Sequence, residues 1–324
     1  MNQFKLSTAL AVLAFAATPA LAQNCDWKPE RAVTYVVPWG AGGGTDANSR
    51  MMASMLEKEF GVPFNVVNRT GGNGVTGHSA IATAEPDGYT VGAVTVEINT
   101  MHHVGLTDLD RNSITPIALI DIVPASVLVK PDSEFQDLEQ LLTYAKEHPG
   151  ELTASGTSQG GIWHLALAGL LNAEGMDPAA IRWIPSKGAA PAMQELMAGG
   201  VDVASPALSE GKSLVEQGEL KALAYMHTDR MKALPDVPTT AELTDSGWTL
   251  AAWITISGPG GLPEEITCSY EKAALAAMET QEWADFKATR GSDVVSMGSA
   301  ELADYMAKSD QALGETITAI GLAK

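Results

Sequence analysis

The strongest constraint on the fold is a strand, a glycine turn and a helix start that follow one another directly. Residues 33–37 form a hydrophobic, β-branched run, and residues 40–44 carry almost no side-chain atoms. Thr45 and Asp46 then open a segment whose apolar residues recur at helical spacing. Such a backbone offers free N–H donors to an anion at the start of the helix. The sequence therefore predicts an α/β unit with an anion-binding loop.

The alternation of strands and helices continues along the chain over short turns, which predicts an α/β fold with mostly parallel sheets flanked by helices. A second glycine-rich strand-to-helix loop, residues 156–161, falls in a separate α/β unit. Ligands of such sheets bind beyond the carboxyl ends of the strands, so two facing loops predict a cleft between two lobes.

The 324 residues suffice for two domains. We expect domain 1 to be discontinuous and to comprise residues 23–124 and 250–324. Domain 2 is expected to comprise residues 125–249, with hinges near 123–127 and 225–253.

Residues 1–22 have the pattern of a cleavable signal peptide. Lys5 precedes an apolar run over 6–17, and Ala20-Leu21-Ala22 matches an Ala-x-Ala cleavage site. A membrane anchor is the competing interpretation, but the run is shorter than the roughly 20 residues that a spanning helix needs. We therefore expect a soluble protein exported to the periplasm.

The formal net charge of −19 argues against nucleic acid or anionic lipid as a partner. Because the whole chain is negatively charged, nearby hydrogen-bond donors must hold any anionic ligand against this electrostatic repulsion. Cys25 and Cys268 are the only cysteines. Export permits a disulfide between them, but the sequence does not give their distance, so the bridge is left open.

No metal and no cofactor is predicted. His102 and His103 are adjacent, and neighbouring residues of a strand or helix face different ways. A nucleotide-triphosphate loop needs a lysine after its last glycine, and Gly44 is followed by Thr45. The segment 72–77 is a literal GxGxxG, but three residues separate it from the preceding strand, and an exported protein rarely meets a dinucleotide. Tight turns alone are the remaining alternative for any single glycine loop.

Four blocks of sequence resemble the signature of one family. They are residues 37–46 (VPWGAGGGTD), 67–77 (VNRTGGNGVTG), 86–90 (PDGYT) and 234–242 (LPDVPTTAE). In this order they look like the blocks of the Bug family, the TctC-like periplasmic substrate-binding receptors of tripartite tricarboxylate transporters. The resemblance covers essentially the whole mature chain.

The resemblance implies a two-lobed periplasmic binding protein, type II-like, that closes over a small carboxylate and is not an enzyme. It further implies a monomer that delivers this carboxylate to integral-membrane permease subunits. The chain departs from the family pattern at Trp39, Gly40 and Ser186, where the family usually has Phe, Ala and Tyr. Dicarboxylates, tricarboxylates, aromatic acids and acidic amino acids all fit this expectation.

The resemblance places a carboxylate on the main-chain N–H groups of the first loop, opposite a loop and a Pro-Ser-Lys-Gly block of the second lobe. The predicted ligand-binding residues are Trp39, Gly40, Gly43, Thr45, Asp46, Gly72, Thr95, Glu97, Gly156, Thr157, Ser158, Gly161, His164, Ser186, Lys187, Gly188 and Asp202.

Several of these roles stay open. Asp46 is expected to order the loop as an N-cap, or else to receive a ligand amine. Glu97 either contacts a ligand amino group or is a charge at the rim. Lys187 is the ligand's counter-charge or a solvated rim lysine, and His164 is expected to be a helix residue rather than a base.

Two other functions compete with transport. Ser155 or Ser158 can be drawn with His164 and Asp202 as a catalytic triad, but no nucleophile-elbow pattern supports an enzyme. A receptor that presents its ligand to a sensor kinase would have the same fold.

Overall fold

The computed structural model describes residues 25–324, so the predicted signal peptide of residues 1–22 lies outside the described part. The fold is α/β, with two separate sheets flanked by helices, as predicted. The strands, in chain order, are β1 (Val33–Val37), β2 (Phe64–Asn68), β3 (Thr90–Thr95), β4 (Ile114–Pro124), β5 (Ser126–Val129), β6 (Thr153–Ser155), β7 (Arg182–Trp183), β8 (Val203–Ala204), β9 (Lys221–Tyr225), β10 (Ala251–Pro259) and β11 (Met297–Gly298).

The α-helices differ mainly in length, from one turn to almost six. They are α1 (Gly44–Phe60), α2 (Val75–Ala82), α3 (Leu138–Glu147), α4 (Ile162–Ala173), α5 (Ala189–Met197), α6 (Leu208–Glu216), α7 (Thr240–Leu243), α8 (Glu264–Met278), α9 (Gln281–Thr289) and α10 (Ser299–Ala319). Among residues 25–324, no helix combines the length and the apolar character that crossing a bilayer requires.

The first sheet has the strand order β11-β4-β10-β3-β1-β2, and the second has the order β7-β6-β8-β5-β9. Both sheets are mixed, so the prediction of mostly parallel sheets is wrong in this detail. Strand β1 pairs in parallel with β2 and β3, but β10 runs antiparallel to β3 and β4. In the second sheet, β6 has parallel neighbours while β5 has antiparallel ones.

The antiparallel direction follows from the path of the chain between the sheets. Strand β4 leads out of the first sheet and β10 returns to it, so these two long strands lie side by side in opposite directions. Pro124 pairs with Ala251, and the N–H of Ala125 donates to the carbonyl of Leu250 at 2.9 Å. The two connections between the sheets are therefore adjacent, within the ranges 123–127 and 225–253 predicted for the hinges.

Helix α1 packs on the first sheet through an apolar face. Met52, Met55 and Leu56 on this face are buried, and burying each such side chain contributes roughly 1.5–3 kcal/mol. The helix ends at Gly61, whose φ of +73° suits the left-handed cap that glycine adopts without strain. This packing and the cap fix the position of α1 on the first sheet.

Cys25 and Cys268 are joined in a disulfide, with their Cα atoms 5.2 Å apart. The bridge ties the start of the described chain to α8 on the first sheet. Trp27 lies beside it, with its ring 5.4 Å from that of Tyr270. The bridge that the sequence left open is thus present.

His102 and His103 lie in a turn. The expectation that these adjacent side chains face different ways is wrong, because their rings converge. Each Nε2 lies within 3.2 Å of the same oxygen of Asp310 on α10. Metal-bound histidines normally donate their second ring N–H to an acceptor, whereas the buried Nδ1 of His102 has no partner within residues 25–324. We therefore interpret the cluster as a contact that holds α10 to the turn.

Candidate functional site

A cavity of about 410 Å³ lies between the two sheets, in the range of small-molecule sites. The first lobe contributes the glycine turn, the end of β3, and parts of β4 and β10. The second lobe contributes the loop after β6 and the beginnings of α4, α5 and α6. Nine predicted residues line this cavity, namely Trp39, Gly40, Gly43, Thr45, Thr95, Glu97, Thr157, Lys187 and Gly188.

Four helices begin at the cavity wall without a side-chain cap. Their N-cap residues are Gly43 for α1, Gly161 for α4, Gly188 for α5 and Ala207 for α6, and none provides a side-chain hydrogen bond. The first turn of a helix has N–H groups without helical partners and carries a partial positive charge. Four such termini around one space make it favourable for an anion.

Asp46 orders the first glycine turn, but it is not the N-cap. Helix α1 begins at Gly44, so Gly43 is the N-cap and Asp46 lies in the first turn. Its carboxylate accepts hydrogen bonds from Gly42 N, Arg50 Nε and Asn68 Nδ2 at 2.8–2.9 Å. Burial raises the pKa of Asp46, but these donors outweigh it and hold the pKa below its usual value. Asp46 is not part of the cavity lining, so the geometry favours the loop-ordering role over ligand contact.

A hydrogen-bonded chain fixes Trp39 and Glu97 on the first-lobe wall. Trp39 Nε1 donates to Thr95 Oγ1 at 3.1 Å, and this hydroxyl donates to Glu97 Oε2 at 2.5 Å. Buried His78 accepts from Thr95 N and lies 2.8 Å from the carbonyl of Gly74. Burial lowers the pKa of His78 to about 4, so it stays neutral and acts as a support. Burial raises the pKa of Glu97, which is only 5% exposed.

A buried ion pair that no sequence pattern indicated lies behind the first glycine turn. Lys287 on α9 pairs with Asp121 on β4, and both side chains are almost completely buried. Asn48 on α1 donates through Nδ2 to Asp121 Oδ2 at 2.9 Å and to the carbonyl of Gly44 at 3.0 Å. The pair therefore anchors the start of α1 to the first sheet.

Two further charged residues, Glu210 and Arg290, line the cavity and were also missed. Glu210 is in the first turn of α6, and Arg290 follows the last residue of α9. A Cβ added to Gly44 would lie 3.8 Å from both Arg290 Nη2 and Glu210 Oε1. Burial raises the pKa of Glu210 to about 7, despite the nearby charge of Arg290. Among the described residues Arg290 forms no ion pair, and its guanidinium lies 5.9 Å from the centroid of the Phe286 ring.

The other eight predicted residues do not line the cavity. Most of them belong to the loops that do, but Asp202 instead accepts from Thr153 N and Oγ1 at 2.8 Å at the start of β6. His164 accepts from Gly160 N at 3.0 Å, and burial lowers its pKa to about 4, as expected of a structural helix residue. The residues outside the lining are Asp46, Gly72, Gly156, Ser158, Gly161, His164, Ser186 and Asp202.

The glycines of the GxGxxG segment pack against the first loop. A Cβ at Gly77 would lie 2.4 Å from the Cα of Pro38, and one at Gly74 would lie 3.2 Å from the Trp39 ring. The segment also reaches the second lobe, because Ser158 Oγ donates to Asn73 Oδ1 at 2.8 Å. These close approaches account for the motif without a dinucleotide.

Known proteins resemble this chain over most of its length. A family model described as "Tripartite tricarboxylate transporter family receptor" matches residues 49–322. Protein BugT of Bordetella pertussis is 29% identical over 304 residues, which is 91% of each chain. Among solved structures, periplasmic binding protein BugD has a TM-score of 0.79 at 26% identity, covering 91% of this chain and 99% of its own. R. palustris Rpa4515, solved with adipate, has a TM-score of 0.83 at 28% identity, covering 92% and 99%.

These comparisons confirm the predicted family and the two-lobed fold class. The relatives are solute-binding receptors rather than enzymes, so the triad that can be drawn in the sequence has no support. The uncapped helix termini, the glycine turn and the family match lead to one conclusion. The chain belongs to the tripartite tricarboxylate transporter receptor family and is, like the Bug proteins, a solute-binding protein.

Proposed function

We propose that this protein captures a small carboxylate between its lobes and delivers it to the membrane permease of a tripartite tricarboxylate-type transporter. The observation that carries the proposal is the convergence of four uncapped helix N-termini on one cavity. Helix N-termini bind carboxylates through free N–H groups and the helix dipole. The adipate found on the structural relative from R. palustris supports a carboxylate of similar size.

In this proposal the first turn of α1 binds one carboxylate group, and Arg290 neutralises its charge. The N–H groups of residues 43–45 lie at the start of α1, and these residues line the cavity. A guanidinium presents a planar set of donors that matches a carboxylate. Lys187, which is exposed at the cavity, provides a second positive charge. Local donors thus offset the negative net charge of the chain.

Binding would close the lobes around hinges at 123–127 and 225–253, between domain 1 (23–124 and 250–324) and domain 2 (125–249). Contacts between the lobes exist fully only in the closed state, so a ligand that strengthens them shifts the population toward it. The mature protein would act in the periplasm as a monomer, after removal of residues 1–22. The family match supports the permease as its partner.

A thermal-shift screen over dicarboxylates, tricarboxylates, aromatic acids and amino acids tests the proposal. A ligand at 100 times its Kd stabilises the folded state by about 2.7 kcal/mol, which is readily measured. We expect a rise in Tm with at least one carboxylate, and its loss in Arg290→Gln but not in the exposed control Arg182→Gln. No shift with any acid at millimolar concentration would contradict carboxylate capture.

A further inference from the structure

The chain between α9 and β11 leaves the first lobe, touches the second lobe and returns. Helix α9 belongs to the first lobe, because Trp283 is buried in the core of the first sheet. Strand β11 is an edge strand of the same sheet. Residues 290–293 lie between these two elements and contact side chains of the second lobe. A segment anchored at both ends in one lobe therefore bridges to the other.

The end of α9 fixes where this segment begins. Gly291 has a φ of +70°, and its N–H donates to the carbonyl of Ala288 at 2.9 Å. The N–H of Ser292 donates to the carbonyl of Lys287 at 3.0 Å. Together these bonds form a Schellman motif, which ends a helix at a left-handed glycine. The side chain of Lys287 is held by its buried pair with Asp121, so the motif is fixed to the first lobe.

Two residues of the segment contact the second lobe. A Cβ at Gly291 would lie 2.6 Å from Lys212 Cδ on α6 and 3.2 Å from Met231 Cε. The glycine therefore permits an approach of the two lobes that a side chain would obstruct. Asp293 Oδ1 accepts from Lys232 Nζ at 2.7 Å, in an exposed ion pair between the lobes.

The side chain of Lys212 is held in place on its own helix. Its Nζ pairs with Glu216 Oε1 at 2.7 Å, one turn further along α6, and only 19% of the side chain is exposed. A side chain fixed in this way acts as part of the wall of the second lobe. A Cβ at Gly291 would therefore push the two lobes apart or break the pair of Lys212 with Glu216.

The other residues of the same segment line the cavity. Arg290 and Ser292 are part of its wall. Arg290 Nη2 lies 3.8 Å from the position of a Cβ at Gly44, in the first turn of α1. Gly291 and Asp293 alternate with them along the chain and contact the second lobe. Four consecutive residues thus connect the cavity wall to the contact between the lobes.

We propose that residues 290–293 form a clasp between the lobes, and that Gly291 and Asp293 are positioning residues that slow the escape of a bound carboxylate. The inference rests on the proposed function, since it requires a carboxylate bound in the cavity beside Arg290. A carboxylate that fixes Arg290 also orders the adjoining residues for their contacts with the second lobe. Separation of the lobes must break these contacts, so they add to the barrier that the ligand crosses on leaving.

The clasp acts on the exit of the ligand rather than on its entry. Its contacts form only after the lobes have approached each other, so they do not contribute to the first encounter with the ligand. Weakening the clasp should therefore raise koff and leave kon unchanged. A merely structural role would lower Tm without changing either rate constant.

Gly291→Ala tests the close approach, with Gly321→Ala as its matched control. Gly321 ends α10 in the same Schellman motif with a φ of +74°, but a Cβ there would meet no atom of residues 25–324 within 4 Å. Both variants carry the strain of a left-handed alanine, so their Tm should fall by similar amounts. Only Gly291→Ala should raise koff, by at least about fivefold.

Asp293→Asn tests the ion pair, with Glu282→Gln as its control. Glu282 lies in the first turn of α9 and loses an exposed pair of the same length, 2.7 Å to Lys58, within the first lobe. We expect Asp293→Asn to raise koff about 2- to 5-fold, the effect of one exposed ion pair. The control should keep koff unchanged.

Stopped-flow mixing of the full mature protein with adipate, citrate, benzoate and glutamate gives both rate constants. The signal is the fluorescence of the tryptophans in the cavity wall, Trp39, Trp163 and Trp253. The acid that binds most tightly is then used with every variant. If an acid binds but both test variants have the koff of their controls, the clasp is wrong and carboxylate capture stands. If none of the acids binds the unsubstituted protein, the proposed function fails and the clasp fails with it.

Discussion

Ser158 Oγ donates a 2.8 Å hydrogen bond to Asn73 Oδ1, and this bond joins a loop of the second lobe to a loop of the first. Asn73 holds a φ of +54°, an uncommon conformation for a residue with a side chain. Neither residue lines the cavity. The bond therefore links the two lobes at a point outside the cavity lining.

Ser158→Ala is expected to weaken ligand binding by about 2- to 13-fold, because a neutral hydrogen bond contributes about 0.5–1.5 kcal/mol. The mechanism is a smaller population of the closed state, which calorimetry detects as a higher Kd. Ser213→Ala, on an exposed position of α6, is the matched control. Equal affinity in the two variants would show that the bond does not contribute to closure.

Lys287→Met should destabilise the protein by about 3–5 kcal/mol, because it leaves the buried carboxylate of Asp121 without its cation. Burial already raises the pKa of Asp121 and lowers that of Lys287, so desolvation outweighs their attraction. Adding Asp121→Asn to the first substitution should therefore restore most of the stability. Urea unfolding of both variants measures this, and an additive loss in the double variant would argue against a coupled pair.

Glu210→Gln should change how stability depends on pH. The pKa of Glu210 is raised to about 7 in the folded state, so its contribution is fully present below its unfolded pKa near 4.5. That contribution is lost as pH rises from there through about 7. We expect Tm of the variant, relative to the unsubstituted protein, to increase across this window. A constant difference in Tm over this range would show that Glu210 does not titrate there.

Replacing both cysteines by serine should lower the free energy of unfolding by about 2–5 kcal/mol, because the disulfide closes a loop with a sequence separation of 243 residues. Ligand affinity should be preserved, since neither Cys25 nor Cys268 lines the cavity. Thermal unfolding with and without ligand separates the two effects. A large loss of affinity at unchanged stability would contradict this assignment.

The first glycine turn could be predicted because glycines followed by a helical pattern are visible in sequence. Gly40, Gly43 and Thr45 line the cavity. Trp39 and Glu97 were found because they adjoin the ends of strands, where such sites lie. The two-lobed α/β class followed from the alternation of elements and from the family blocks.

Several charged residues in and behind the cavity wall could not be predicted. Glu210, Arg290 and the pair of Asp121 with Lys287 come from separate elements of the chain, and only the fold brings them together. Asp202 was predicted because it lies in a segment that resembles the family. Its carboxylate instead binds Thr153 at the start of β6, and Asp202 does not line the cavity. The antiparallel pairs were not predicted, because no local sequence pattern shows that β10 lies beside β4 in the opposite direction.

Binding of a carboxylate at the start of α1 is tested by the affinity of Gly44→Leu for the tightest ligand found in the carboxylate screen. The new side chain would enter the cavity between Arg290 and Glu210, each 3.8 Å from its Cβ, at the first turn of α1. Ser54→Leu, on the exposed face of the same helix, is the control. We expect Kd to rise at least about 100-fold in Gly44→Leu alone, with Tm of the ligand-free protein within about 3 °C of the control. An unchanged Kd in Gly44→Leu would contradict the claim that the ligand binds at the N-terminus of α1.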